Sequence, residues 1–366
     1  MRVILDLRLY LQRYLVGKAE LQSSKLVGNE SETVDRVRNI FEYRPYKRRF
    51  REPLQTALGD WVVREGFILR LLDDQGVTGF GEVAPVPWLG SETLEDAEAF
   101  LSSAQSEGFV DAVPADLPCC RFAISCAHSV LRQDLEPPEG KAEVAGLLPA
   151  GHSALEKISE LIELGFQVFK WKAGVESFAQ EVEILDHLLD ALPANGFLRI
   201  DANGGWNLVE AWRWLETLEG EDRVQFVEDP LESALWEASF GLAEAFETSL
   251  ALDFPVTNER FPVLAEKAWP GLLVVKPSTF GSVHDLRGIS QSFPQKVVFS
   301  SAFETAFGYE AVLRLAIEDG TERLALGLGG QDLFEEDGLN LHHVSPRLLL
   351  GEVGFDELEK AWEGLL

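Results

Sequence analysis

From about residue 144 onward the chain repeats one pattern: a short apolar run ending in a single charged residue, followed by a stretch whose apolar positions recur with helical spacing. The runs are Val168-Phe169-Lys170-Trp171-Lys172, Leu198-Arg199-Ile200-Asp201, Val224-Gln225-Phe226-Val227-Glu228, Leu250-Ala251-Leu252-Asp253 and Leu273-Val274-Val275-Lys276. Their length and β-branched or aromatic content predict buried strands. The terminal charges Lys172, Asp201, Glu228, Asp253 and Lys276 stand 29, 27, 25 and 23 residues apart. That is close to the ~30 residues of one strand-helix unit in a (β/α) barrel. Further strands are expected at Val144–Leu148, Lys296–Ser301 and Arg323–Leu328, with a helix over Ser153–Leu164 leading into the lysine strand. A charge inside a buried strand is costly, whereas at the C-terminal end of a barrel strand it faces the mouth where such folds keep their active sites.

The preceding segment alternates differently. Tyr43–Phe50, Trp61–Leu72 and Val77–Val83 predict strands, the last two joined by the turn Asp73-Asp74-Gln75-Gly76. Helices are expected from near Ser91, with acids in the first turn, and over Leu117–Leu135; Pro137-Pro138-Glu139-Gly140 reads as a linker. Residues 41–140 therefore form a smaller α+β unit, residues 141–335 the barrel, and residues 336–366 a segment whose amphipathic end, Phe355–Leu365, packs back on the smaller unit. Residues 1–40 carry no apolar run of signal-peptide or membrane-span length, since Asp6, Arg8 and Arg13 interrupt the first one. They are expected to be a flexible extension.

Charge narrows the function. With 32 basic and 61 acidic residues among 366, the formal charge of -29 repels phosphate backbones and anionic lipid surfaces, so neither nucleic acid nor membrane is an expected partner. Cys119, Cys120 and Cys126 fall on the apolar face of their helix with Phe122, Ala123 and Val130, which reads as reduced thiols of a cytoplasmic protein rather than as a zinc site.

Strand alternation puts Val168, Lys170 and Lys172 on the lumen face and Phe169 and Trp171 toward the helices. Two ammonium groups at close range are expected to lower the pKa of at least one, fitting it for general-base work; the alternative is that the lysines only neutralise lumen carboxylates. Asp201, Glu228 and Asp253 offer carboxylate oxygens from successive strands, with Asn203 on the face of Asp201. Singly each could be an ordinary strand-end acid. Together, without His or Cys, they suit a hard cation, Mg²⁺ first and Mn²⁺ second.

The order Lys170-x-Lys172, Asp201-x-Asn203, Glu228-Asp229-Pro230, Asp253, Lys276 resembles the signature of the enolase superfamily, muconate-lactonizing subgroup. Pro53–Gly59, Gly79-Phe80-Gly81-Glu82-Val83-Ala84-Pro85 with Ser91-Glu92-Thr93, and Ser300-Ser301-Ala302-Phe303-Glu304-Thr305 are similar to the o-succinylbenzoate synthase family, particularly its cyanobacterial and plant-like forms; Arg199 matches an arginine of that family. The resemblance covers about Phe41 to the C-terminus. It implies an α/β protein in which an N-terminal α+β domain caps a modified TIM barrel, (β/α)₇β. It also implies one Mg²⁺ on Asp201, Glu228 and Asp253, and catalytic lysines Lys172 and Lys276 on opposite faces of a small carboxylate substrate, with Lys170 beside them. Asn203, Arg199, Thr56, Ser301 and Gly329 are expected to bind substrate or support the site. Many relatives carry Glu-Ser after the third acid, where this chain has Phe254-Pro255; a polar neighbour that could orient Lys276 or the metal shell is thus missing.

The implied reaction is syn-dehydration of 2-succinyl-6-hydroxy-2,4-cyclohexadiene-1-carboxylate to 2-succinylbenzoate, towards menaquinone or phylloquinone. Within the same frame the alternatives are an N-acylamino acid racemase or dipeptide epimerase. A dipeptide epimerase would be expected to place acids after the last strand, where Gly327-Leu328-Gly329-Gly330 offers N–H groups instead, although Asp332 follows closely. A non-catalytic metal- or metabolite-binding relative would need neither lysine.

Overall fold

The computed structural model describes residues 40–56, 59–107, 112–131, 140–320 and 323–365, the side chains of 55, 56 and 59 excepted. The expected extension (to residue 39), most of the linker and the end of the helix that bears the cysteines lie outside the described residues.

Three antiparallel strands, β1 (Ile40–Thr56), β2 (Gly59–Leu72) and β3 (Thr78–Val83), form the cap sheet. The β2–β3 turn is fixed by Asp73, whose carboxylate accepts from the N–H groups of Gln75 (2.9 Å) and Val77 (2.7 Å). Helices Leu94–Glu107 and Pro118–Leu131 follow. The second lies so close to β3 that a Cβ on Gly79 or Gly81 would stand 2.1 Å from the carbonyl oxygen of Ala127 or Ala123. Backbone approach, not turn chemistry, is what this Gly-x-Gly pair serves. Glu92 accepts from the N–H groups of Cys119 (3.0 Å) and Cys120 (2.9 Å), capping that helix. The three cysteines are free and buried, and burial pushes their thiols up. Val130, expected on the buried face, is instead exposed, because the helix turns it away from the sheet.

After β4 (Lys141–Glu143), strands β5 (Gly146–Leu148), β6 (Val168–Lys172), β7 (Phe197–Asp201), β8 (Val224–Glu228), β9 (Leu250–Leu252), β10 (Leu272–Val275) and β11 (Val297–Phe299) pair in parallel, each with the next from β5 onward. The ring closes through residues 324–328. The strand expected at Arg323–Leu328 is reduced there to two bridges, Leu326 with Val144 and Gly327 with Ser300. The architecture is a (β/α)₇β barrel with an N-terminal α+β cap. Outward residues such as Phe169, Trp171, Leu198, Ile200, Leu252 and Val275 join the main core beneath the helices. Inward ones, Phe226, Ala251, Val274 and Val298, fill the lower lumen. A final antiparallel strand, β12 (Arg347–Leu349), pairs with β4. Helix Phe355–Gly364 lies on the cap sheet, where Trp362 is buried with Tyr46 and Ile68, and Arg44 donates to the carbonyls of Trp362 (2.7 Å) and Leu365 (2.9 Å).

Candidate active site

Lys172, Asp201 and Glu228 are the last residues of β6, β7 and β8, while Asp253 and Lys276 follow directly on β9 and β10. All five therefore stand at the C-terminal rim of the barrel, above its apolar filling. Along the sheet β6 and β10 are four strands apart, half of an eight-membered ring, so Lys172 and Lys276 rise from opposite walls. Between them lie the three acids. Asp201 pairs in register with both Lys172 and Glu228.

The Lys170 ammonium sits 2.8 Å from Asp201 Oδ2 and 2.7 Å from Glu228 Oε1, and Lys276 contacts Asp253 Oδ2. Burial pulls Lys170 down, but the carboxylates of Asp201, Glu228 and Asp253 outweigh it and hold its pKa well up. The expectation that neighbouring lysines lower a pKa is thus reversed at Lys170, where the three carboxylates outweigh burial. Glu228 is pushed up to about 7, first by burial and then by Asp201.

Among the described residues no three acids form a ready-made metal group, since ammonium groups interleave with them. The donor set nonetheless fits a hard cation. It offers only carboxylate oxygens on adjacent strand ends, and the buried Glu228 remains short of compensating positive charge even with Lys170 against it.

The other expected residues divide. Asn203, in the left-handed region at φ 47°, donates from Nδ2 to Asp201 Oδ1 (2.8 Å), and its N–H donates to the same oxygen (3.0 Å); it orients that acid. Arg199 lies one layer deeper than Asp201 and bonds the barrel itself, through Gln225 Oε1 (2.8 Å) and the Ala325 carbonyl (2.7 Å). Burial lowers its pKa to about 10. Ser301 donates to Glu304 Oε2 (2.5 Å). Gly329 and Ser301 line a cavity with Arg48, Glu304, Tyr309 and His342, and a Cβ on Gly329 would meet Leu147 Cγ at 2.9 Å. Thr56 ends β1, and its side chain lies outside the described residues.

Sequence reasoning passed over the groups that hold this rim. Glu304 bridges the loops after β10 and β11, accepting from Ser278, from Ser301 and from the Ala302 N–H (3.0 Å). From the cap, Arg48 donates to the Glu304 carbonyl (3.1 Å) and Arg64 to the Ala302 carbonyl (3.1 Å). Glu82 accepts from Tyr46 (2.6 Å), from the Thr305 hydroxyl (2.6 Å) and from the Gly308 N–H (3.0 Å). The Gly-x-Gly-Glu string was the available signal for Glu82; nothing in a single sequence links it to Thr305.

Comparison with known proteins agrees with this frame. Residues 153–261 match the family model described as "Enolase C-terminal domain-like", and residues 58–131 match "MenC, N-terminal domain". The chain is 36% identical over 300 residues to the o-succinylbenzoate synthase of Thermosynechococcus vestitus, covering 79% of this chain and 92% of that one. It belongs to the o-succinylbenzoate synthase family. A solved member of that family, the Thermosynechococcus elongatus BP-1 synthase complexed with Mg in its active site, superposes with a TM-score of 0.76 at 34% identity, covering 88% of this chain and 99% of that one. The L-Ala-D/L-Glu epimerase of Bacillus subtilis shares the fold, with a TM-score of 0.72 at 17% identity over 85% of this chain and 95% of that one. At that identity the likeness extends to architecture alone, so the shared fold does not by itself select a reaction.

Proposed function

We propose that this protein is an o-succinylbenzoate synthase, a carbon–oxygen lyase that converts 2-succinyl-6-hydroxy-2,4-cyclohexadiene-1-carboxylate to 2-succinylbenzoate for menaquinone or phylloquinone synthesis. The observation that carries the choice of reaction is the 36% identity to an o-succinylbenzoate synthase over 79% of the chain; the opposed pair Lys172 and Lys276, four strands apart, with Asp201, Glu228 and Asp253 on the strand ends between them, supplies the chemistry. In this reading Lys172, as the free amine, takes the ring proton α to the substrate carboxylate, and a doubly charged enediolate results. The C–O bond to the 6-hydroxyl then breaks on the same face, and the Lys172 ammonium returns the proton to the departing hydroxide, giving water and the aromatic ring. Lys276 keeps its charge over the opposite face and offsets the developing anion.

Asp201, Glu228 and Asp253 would hold Mg²⁺, with Mn²⁺ as a substitute. That cation supplies charge neutralisation at the substrate carboxylate. Asn203 would keep Asp201 turned to it, and Lys170 would balance the acids from below.

Purified protein assayed with the cyclohexadiene carboxylate should lose turnover in excess chelator and regain it with Mg²⁺. Full activity in chelator would remove the metal from the reading. Racemization of an N-acylamino acid far faster than dehydration would replace the assignment itself.

A further inference from the structure

Asp253 is followed by Phe254-Pro255, neither of which has a side chain that could orient a carboxylate. The residue that fastens it comes from the neighbouring strand. Asp229 follows Glu228, so strand alternation turns its side chain away from the lumen face, toward the backbone after β9. There its Oδ1 accepts from the Asp253 N–H (3.0 Å) and its Oδ2 from the Phe254 N–H (2.9 Å). Its own N–H donates to the Ala251 carbonyl (3.0 Å), and its carbonyl accepts from the Gly204 N–H (2.8 Å), just beyond Asp201 and Asn203. One buried residue therefore ties the ends of all three acid-bearing strands. It does so from a left-handed backbone, φ 40°, a conformation that strains a non-glycine residue and persists only where its surroundings enforce it.

We propose that Asp229 is a positioning residue that sets the mutual placement of Asp201, Glu228 and Asp253 without touching cation or substrate. It supplies, from β8, the support that a polar residue after the third acid would otherwise give. The inference rests on the metal reading above.

Its test separates the two. Full-length protein stripped with chelator is titrated with Mg²⁺ alone by calorimetry, and with Mn²⁺ followed by paramagnetic resonance. Wild type should bind one equivalent and Asp201→Ala none; a wild type that binds neither metal removes the metal reading, and this inference with it. Asp229→Asn tolerates the left-handed backbone and keeps one acceptor, but turns an NH₂ toward the other N–H. Asp229→Gly adopts the backbone freely and keeps no acceptor. Both should unfold near the wild-type temperature yet bind metal about 10 to 100-fold more weakly, the usual cost of losing a group that orients ligands, with Asp229→Gly the weaker. Saturating Mg²⁺ should return kcat of Asp229→Asn to near wild type, since Asp229 takes no part in the chemistry. Metal affinity within about threefold of wild type in both variants overturns the proposal. So does a kcat that stays low at saturating Mg²⁺, or a failure of both variants to fold, which would make Asp229 a residue of global stability.

Discussion

The two rim lysines differ in what the proposed reaction asks of them. Lys172 must move a proton, whereas Lys276 need only present charge. Lys172→Ala should eliminate detectable turnover. Lys276→Arg keeps a cation but cannot act as a base near neutral pH, and it should retain part of the dehydration. A racemase would behave otherwise, because each lysine would serve one enantiomer and both substitutions would stop one direction of α-proton exchange completely. Dehydration rates beside deuterium wash-in for both enantiomers distinguish the cases, with circular dichroism and metal titration confirming that each variant is intact. Equal and total loss of dehydration in both variants would contradict the one-base scheme.

Helix Pro118–Leu131 can seat on the cap sheet only because β3 presents hydrogen atoms where side chains would stand. Gly81→Ala would drive a methyl group to 2.1 Å from the Ala123 carbonyl oxygen. That atom is helix backbone and cannot rotate aside, so helix or strand must shift. The expected cost is about 1–3 kcal/mol or more, in the range of core overpacking, read as a lower urea midpoint. A midpoint unchanged within error would mean that the helix rides the sheet loosely. The helix's start was legible in the sequence to within one residue, but its depth on the sheet was not, because a Gly-x-Gly string reads equally well as turn chemistry.

Across the whole molecule, cap and barrel are joined by buried polar groups at the loop that follows β11. Burial is the first cause that raises the Glu82 carboxyl above its ordinary value, although Thr305 and Tyr46 donate to it and pull the other way. A carboxyl whose folded-state pKa exceeds its unfolded value, about 4.3, holds its proton more tightly when folded. The stability it contributes is fully present below the unfolded value and is lost as pH rises through the folded one. Glu82→Gln lacks that titration. The stability of wild type relative to Glu82→Gln should therefore be greater at pH 4 than at pH 8, measured as the difference between urea unfolding free energies at each pH. A difference that grows with pH would show that the hydrogen bonds to the carboxylate, not its burial, dominate this junction.

What the sequence alone determined was the periodic part of the protein. Strand runs ending in Lys172, Asp201, Glu228, Asp253 and Lys276 recur at the spacing of a barrel unit, and alternation within each run assigns a lumen face; both depend on neighbours a few residues away. Tertiary structure decided the rest. The last strand shrank to bridges at Leu326 and Gly327 because it only has to close the ring between Val144 and Ser300. The pKa of Lys170 rose because carboxylates from β7 and β8 lie against its ammonium. Asp229, Glu304 and Glu82 looked like ordinary acids beside prolines, serines and glycines. Among the groups that donate to them, Asp253, Ser278 and Gly308 lie 24, 26 and 226 residues away in the chain, and a hydrogen bond between groups so far apart exists only once the fold has brought them together.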